Sequence, residues 1–462
     1  ENRYPNETRK NPFLSGLTPA MPYPRFRVFM PISELALSLI DALRGVGMEK
    51  TGEFASAFAG AAGLDRAIPV ASGRAGFRLL LEEMGIPRGS EIVFPAYTFH
   101  PMPVVAAERG LKPVFADVDP RTWTISPEAF LSRVSPRTKA VAPTHLFGVP
   151  ADMDRILAIA RAKGIVVIED CAHALGATFR GRAVGSFGDA ALFTFAMSKS
   201  LPCWGGGAVA VKDAALAERM ASRLEGSPSP SGLSVLREQA SNILALLLTQ
   251  PALFPWTLYP LIKPATWTGI SRFDEPFLEE VSPPSAPPGK QSSVISNQSS
   301  VNSDQSSVIS NQTKPKLITD HWSLITAMSP FQAMVGLRQL QRFPSYIVRQ
   351  MRNARLLRER LAGVSGIELQ AEPPEAGASF LYVRVRVDDP VAFRRALLSA
   401  GVDTKPDDMR DCASLGIFGE QPPCPNAARL SGHCIELPCS PFYSEEEMVD
   451  IARRTKTALT RY

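Results

Sequence analysis

Ile165-Val-Val-Ile-Glu-Asp-Cys-Ala-His173 opens with four β-branched residues and breaks at once into an acidic, loop-like segment. A short unbroken apolar run of this kind suits a strand buried on both faces, where alternation of apolar and polar residues is not needed. Before it lies Asp152–Lys163, patterned as a helix, and after it comes a second run, Ala190-Ala-Leu-Phe193. Outward from this centre, Glu91–Phe94, Pro113–Ala116, Ala140–Ala142 and Ala208–Val211 read as further strands. Arg74–Met84, Pro101–Arg109 and Pro127–Val134 read as the helices between them. Strands alternating with helices of this length imply crossover units, and so an α/β body whose largely parallel sheet carries helices on both faces.

The chain of 462 residues has length for two or three domains, or one large one with an appendage. It is long enough to bury a sizeable core. Its 50 basic and 45 acidic residues leave a net charge of +5, which speaks against a nucleic-acid partner. Six cysteines, Cys171, Cys203, Cys412, Cys424, Cys434 and Cys439, are too sparse for a disulfide scaffold and fit a reducing compartment. Residues 1–19 are polar and dotted with proline, without the apolar core of a secretory signal, so a cytoplasmic location is expected.

The α/β pattern ends near Gly226, and an insert over residues 227–320 follows. Asn242–Ile262 runs for 21 residues without a charge. That length could reach across a bilayer, but Pro251, Pro255 and Pro260 break it, and a lipid-exposed span must satisfy its own backbone. A core-covering or subunit-contact arm is one reading. An interfacial hairpin with Trp256 and Tyr259 at headgroup level, giving a peripheral membrane contact through 242–262, is another. Residues 291–312 hold a Ser/Gln-rich repeat of period seven whose apolar residues, such as Val294 and Ile295, are adjacent and cannot form a coiled-coil seam; a disordered loop is expected.

Regular structure is expected again from Trp322. Ser329 caps a helix with Pro330 at its first position, returning to the large domain over 321–345. A second helix, about Tyr346–Leu361, then opens a smaller C-terminal α+β domain over 346–462. Its strands are expected near Ile367–Leu369, Phe380–Val387 and His433–Leu437, and its helices at Pro390–Ala400 and Ser444–Thr460. The N-terminal arm and large domain occupy residues 1–226.

Asp170 stands at the carboxyl end of its strand, where open α/β sheets bind ligands. Lys199 ends Phe193-Thr-Phe-Ala-Met-Ser-Lys199, leaving a strand for a loop that closes in Gly205-Gly206-Gly207. Ala71-Ser-Gly-Arg-Ala75 opens a helix whose first N–H groups can hold a phosphate. An anion cradle, a carboxylate and a lysine are together what pyridoxal 5′-phosphate (PLP) needs. No metal site is read from the sequence.

The chain resembles the DegT/DnrJ/StrS family of PLP-dependent sugar aminotransferases. The stretches that carry the resemblance are Gly85–Phe99, Lys112–Asp119, His145–Asp154, Glu169–Gly176, Gly185–Asp189 and Thr194–Lys199. The resemblance implies a fold-type I PLP-dependent transferase with a large, mixed but mostly parallel sheet and a smaller C-terminal α+β domain. It implies a homodimer, an amino-acid donor such as glutamate, and a keto-sugar acceptor, nucleotide-linked in the best-known members. By the same likeness Lys199 is the Schiff-base lysine and proton shuttle, and Asp170 pairs with the pyridinium nitrogen. Ala172 and Phe99 take the two faces of the ring, and His173 bonds the phenolic oxygen. Thr194 and the amides of Arg74 and Ala75 take the phosphate.

Several positions depart from the family pattern. Gly73-Arg74 replaces Gly-Thr, Gly205 stands where a glutamate is usual, Ala196 stands where histidine is frequent, and Ile325-Thr326-Ala327 replaces Asn-Tyr-Arg. No His-Tyr-Pro-like substrate segment is recognisable near Lys405-Pro-Asp407. The cofactor site reads as retained and the substrate site as rebuilt. A sugar dehydratase is disfavoured because that branch lacks the lysine. A regulatory or membrane-associated PLP-binding scaffold, and an aminotransferase with a lipid-linked acceptor, remain as alternatives.

Overall fold

The computed structural model describes residues 21–24, 30–227, 229–250, 252–268 and 325–462. The Ser/Gln repeat, residues 1–19 and much of the insert lie outside them.

Seven strands form the large sheet: β1 (Ala67–Val70), β2 (Glu91–Pro95), β3 (Lys112–Ala116), β4 (Thr138–Val141), β5 (Val166–Asp170), β6 (Ala190–Thr194) and β7 (Gly207–Val211). Their spatial order is β1-β7-β6-β5-β4-β2-β3. Only β7 is antiparallel, to β1 on one side and to β6 on the other; the other neighbours pair in parallel. Six strands therefore end at one edge, and β7 begins there.

The apolar runs have their physical cause in burial on two faces. Ile92, Phe94, Ile168, Leu192 and Val209 pack with Phe77 and Leu80 of helix Gly73–Glu83. Residues of opposite parity, Val93, Val141 and Val167, pack with Ile156 and Phe130 from helices on the other face. On that other face nearer β7, Phe193 and Ala208 meet Phe54 and Phe58 of helix Glu49–Ala62.

Helix Pro330–Leu361 starts as expected: Ser329 and Gln332 form a reciprocal capping box with Pro330 at the first position. It does not break into two helices. It runs on through Pro344, so the expected border at 345/346 falls inside one continuous helix. Its first half packs against Glu49–Ala62, and Gly336 permits the approach: a Cβ there would lie 2.4 Å from a Phe54 ring carbon. Its second half supplies Ala354, Leu357 and Leu361 to the C-terminal core.

That core lies beside a four-stranded antiparallel sheet in the order Glu368–Leu369, Val383–Arg386, Cys434–Leu437, Lys405–Pro406. Helices Pro390–Ser399 and Glu445–Leu459 pack on it. The short strand Arg410–Asp411 pairs with Tyr97–Thr98 beyond β2, which pins the C-terminal unit to the carboxyl edge of the large sheet.

The uncharged segment 242–262 folds as helix Ala240–Leu248, a 3₁₀ turn Phe254–Trp256 and the start of helix Leu258–Thr268. Among the described residues no helix is long and apolar enough to cross a membrane. The expected place of Tyr259 needs correction: its hydroxyl donates to Leu398 O at 2.7 Å, tying it to the C-terminal unit and not to an interface outside the protein.

Candidate active site

The strand register builds the site. Val70 of β1, Gly207 of β7 and Thr194 of β6 lie side by side at the carboxyl edge. The chain turns there from β1 into helix Gly73–Glu83. Gly207 cannot carry a side chain, because a Cβ would lie 2.7 Å from Phe193 O and 2.9 Å from Gly73 N. Gly73 in turn faces Thr194, whose Cβ would be 3.5 Å from a Cβ at position 73. Close packing at Gly207 brings the Gly73 turn beside Thr194, and the bare Gly73 leaves a small cradle between a hydroxyl and a helix N-terminus, which suits a phosphate.

A cavity of about 130 Å³ opens at this edge. Lys199, Asp170, Thr194 and Arg74 line it, and so do His173, Ala172 and Phe99. Ala75 is not among the lining residues; its amide bonds to the Ser72 hydroxyl at 3.1 Å as the helix cap.

Asp170 ends β5 with its main chain fixed on both sides, its N–H on Pro143 O and its C=O accepting from His145 N. Its Oδ1 accepts from the Ala172 amide at 3.0 Å. Burial pushes its pKa up, against the opposing pull of that amide, Lys199 and His145. A desolvated carboxylate lining a cavity is matched by a cationic N–H donor inside it, and a pyridinium nitrogen is such a donor.

His173 stacks on Phe147 with ring centroids 5.5 Å apart and planes 15° from parallel. Its Nδ1 accepts from the Phe147 amide at 3.4 Å, which assigns the proton to Nε2. Burial first, and Lys199 second, hold its pKa well below the ordinary value, so the ring is a neutral donor. Lys199 sits on a turn closed by its own N–H to Ala196 O at 3.0 Å. Tyr382 of the C-terminal unit braces that turn, donating to Ser198 O at 2.9 Å.

Next to Asp170, the acid Glu169 points the other way. Its oxygens accept from the amides of Gly185 (2.8 Å), Phe187 (2.8 Å) and Gly188 (2.6 Å) and from His145 Nε2 at 3.0 Å. His145 Nδ1 accepts from the Ala151 amide at 3.1 Å. Glu169, His145 and Cys171 lie close enough together to suggest a metal site, but the carboxylate and imidazole atoms are spent on these bonds. Burial lifts the Cys171 thiol pKa, and Glu169 and Asp170 add to that, so it remains a thiol. The cluster is a clamp that fixes the loop following β5.

Burial would raise the Glu169 pKa, yet His145 and the Gly188 and Gly185 amides outweigh it and hold it below its ordinary 4.5. The depressed value fixes the sign of the pH effect: the ionised form stabilises the fold above pH 4.5, and that contribution is lost as pH falls through the native value. Glu169→Gln should therefore be destabilised in urea unfolding at pH 7. The gap from the parent protein should narrow below pH 4.5; a gap constant with pH contradicts this.

The C-terminal unit supplies residues that motif reading missed. Lys405, Asp408 and Met409 line the same cavity. Lys405 Nζ pairs with Asp408 Oδ2 at 2.8 Å, and Arg384 Nη2 with Asp408 Oδ1 at 2.9 Å. The family's substrate segment would fall near Lys405-Pro-Asp407, but without its motif the charges of Lys405-Pro-Asp-Asp408 look the same as a solvated loop.

The departures after Lys199 have a structural counterpart. Trp204 is fully buried with φ 56°; its Nε1 donates to Ser38 Oγ at 2.9 Å, and its C=O accepts from Gln332 Nε2 at 3.0 Å. Ile325-Thr326-Ala327 lies beside β1, with Ala71 N donating to Thr326 O at 2.9 Å.

The profile of the DegT/DnrJ/EryC1/StrS aminotransferase family matches residues 41–234 and 295–456. A UDP-N-acetyl-3-dehydro-alpha-D-glucosamine 3-aminotransferase of Acidithiobacillus ferrooxidans is 41% identical over 163 residues, 35% of this chain and 44% of that protein. An L-glutamine:scyllo-inosose aminotransferase of Streptomyces griseus is 40% identical over 167 residues, 36% of this chain and 39% of that one. The matched stretch thus spans less than half the length of these relatives. The crystal structure of an aminotransferase from Streptoalloteichus hindustanus superposes with a TM-score of 0.69 at 22% identity, covering 96% of this chain and 99% of that one, which shows a shared fold.

Proposed function

The chain belongs to the DegT/DnrJ/EryC1/StrS aminotransferase family, and on that premise we propose that it is a PLP-dependent aminotransferase carrying an amino group from an amino acid to a keto sugar. The observation that carries the reading is the cavity in which Lys199, Asp170 and the cradle between Gly73 and Thr194 converge. The names of the relatives support the acceptor class, a nucleotide-linked keto sugar in one and a cyclic keto polyol in the other.

PLP, when bound, supplies an electron sink for negative charge at the carbon that loses or gains a proton. The chain's own residues do the rest. Thr194, the Gly73 turn and Arg74 bind the phosphate, the arginine adding charge where the family has threonine. Asp170 would accept a hydrogen bond from the ring nitrogen and keep it protonated. The neutral His173 would donate from Nε2 to the phenolic oxygen. Ala172 and Phe99 would flank the ring and exclude water. In the donor's half-reaction Lys199 Nζ would move a proton from the α-carbon to the cofactor, and in the acceptor's half-reaction it would move one back from the cofactor to the acceptor's carbon. Lys405 and Asp408 offer a paired cation and anion to the substrate, in place of the family's usual segment. A homodimer and a cytoplasmic location belong to the same proposal; all six cysteines are free, which is compatible with a reducing compartment.

Spectroscopy of the holoenzyme tests this. Glutamate or glutamine should bleach the visible absorption of the bound cofactor, and a keto-sugar acceptor should restore it. A spectrum that no amino acid changes would rule the transaminase reading out.

A further inference from the structure

Helix Ile32–Arg44 is built inside out. Its polar stripe faces the protein: Glu34 and Ser38 are completely buried. Glu34 pairs with Arg338 (2.6 Å) and Arg342 (2.8 Å), Asp41 pairs with Arg338, and Ser38 accepts from Trp204. The opposite stripe is apolar and open, with Ile32 50%, Leu39 48%, Ile40 42% and Leu43 67% exposed. A surface helix of a water-soluble protein normally shows the reverse arrangement.

Helices Gly232–Glu238 and Ala240–Leu248 pack against this one and leave Leu233 and Leu244 exposed beside it. A few residues on, Trp256 is 82% exposed and Leu261 57%. From Gln239 to Pro264 the sole charge is Lys263. Exposed Arg44, Arg237 and Lys263 accompany these apolar side chains, with Glu238 as the acid among them.

We propose that this face docks on the surface of an anionic lipid bilayer, lying at headgroup depth without crossing it. Isolated exposed apolar residues need no explanation, but a collected patch does. A tryptophan standing free, leucines beside it and flanking cations are the chemistry of a helix lying in the interface plane. The ion pairs of Glu34 and Asp41 serve the same arrangement by withdrawing the helix's two acids from the outer face. Beneath the patch, Leu246, Val235 and Leu236 pack with Trp204 and Met197, which flank Lys199 in the chain. The docking face is therefore braced against the loop that carries the lysine.

Flotation of the full-length protein with phosphatidylcholine vesicles, with and without phosphatidylglycerol, tests the proposal. Binding should rise with phosphatidylglycerol and fall with salt. Ile40→Glu/Leu43→Glu and Trp256→Ala should each weaken it by about tenfold or more. Melting should be unchanged, since these side chains stand in solvent. Equal flotation of parent and variants overturns the proposal. So does a change in protomer number by light scattering without any change in flotation, which would make this face a contact between copies.

Discussion

Lys199→Ala should lower transamination by roughly 10³-fold or more while leaving the melting temperature close to that of the parent protein. The lysine lines the cavity and its turn is held by main-chain and Tyr382 contacts, so removing Nζ takes away chemistry and little packing. Charge alone is a rival explanation, because Lys199 also lowers the pKa values of Asp170 and His173. Lys199→Arg separates the two. It keeps the positive charge, but a guanidinium does not give up its proton and cannot shuttle one, so it should be as inactive as the alanine variant. A small primary amine added to Lys199→Ala should restore part of the rate by supplying the missing base. Retention of activity by Lys199→Arg, or full activity of Lys199→Ala, would remove the lysine from the reaction. Asp170→Asn should be slowed too, with the cofactor still bound, because an amide cannot stabilise a protonated ring nitrogen as a carboxylate does.

The division between what was readable beforehand and what was not follows from where the information resides. Strands such as Val166–Asp170 are buried on both faces, so composition alone marks them, and the helices between them carry strong caps at Ser72, Ser126 and Asp152. The cofactor residues follow strand ends at fixed short distances, which makes them local in sequence. Gly205 was legible as a departure, but the neighbouring Trp204 is held by Ser38 and Gln332, which come from helices far along the chain. Helix Ile32–Arg44 has an amphipathic period that reads identically whichever stripe faces inward; only the arginines of the long helix show which one does. Likewise Val383-Arg-Val-Arg386 alternates like a strand with one solvated face, yet Arg384 is buried.

Arg384→Ala should be the most destabilising single change in the C-terminal unit, by about 3–5 kcal/mol in denaturant unfolding at neutral pH. The guanidinium is 1% exposed and lies among three carboxylates: Asp407 at 3.1 Å, Asp408 at 2.9 Å and Glu436. It also stacks on Phe147, with Cζ 4.0 Å from the ring centroid, and so touches the ring that supports His173. Lys405 is the other cation of the cluster, leaving two cations against three acids. The excess acid makes ionisation of the cluster costly: burial pushes Asp407 and Glu436 up despite Arg384. Burial would raise Asp408 as well, but Lys405 and Arg384 outweigh it and hold it well below the carboxylate range. Without the arginine Asp407 and Glu436 lose their strongest cation and Asp408 keeps only Lys405, so the pKa values of all three climb. Protonation then relieves the variant more than the parent, so the stability gap should shrink as pH falls and widen as it rises. Arg384→Lys should recover only part of the loss, since one ammonium cannot serve three carboxylates and an aromatic face together. Because Asp408 and Lys405 line the cavity, KM for the substrate should rise in Arg384→Lys even where the fold survives. A gap that does not change with pH would mean that the arginine contributes packing and not charge.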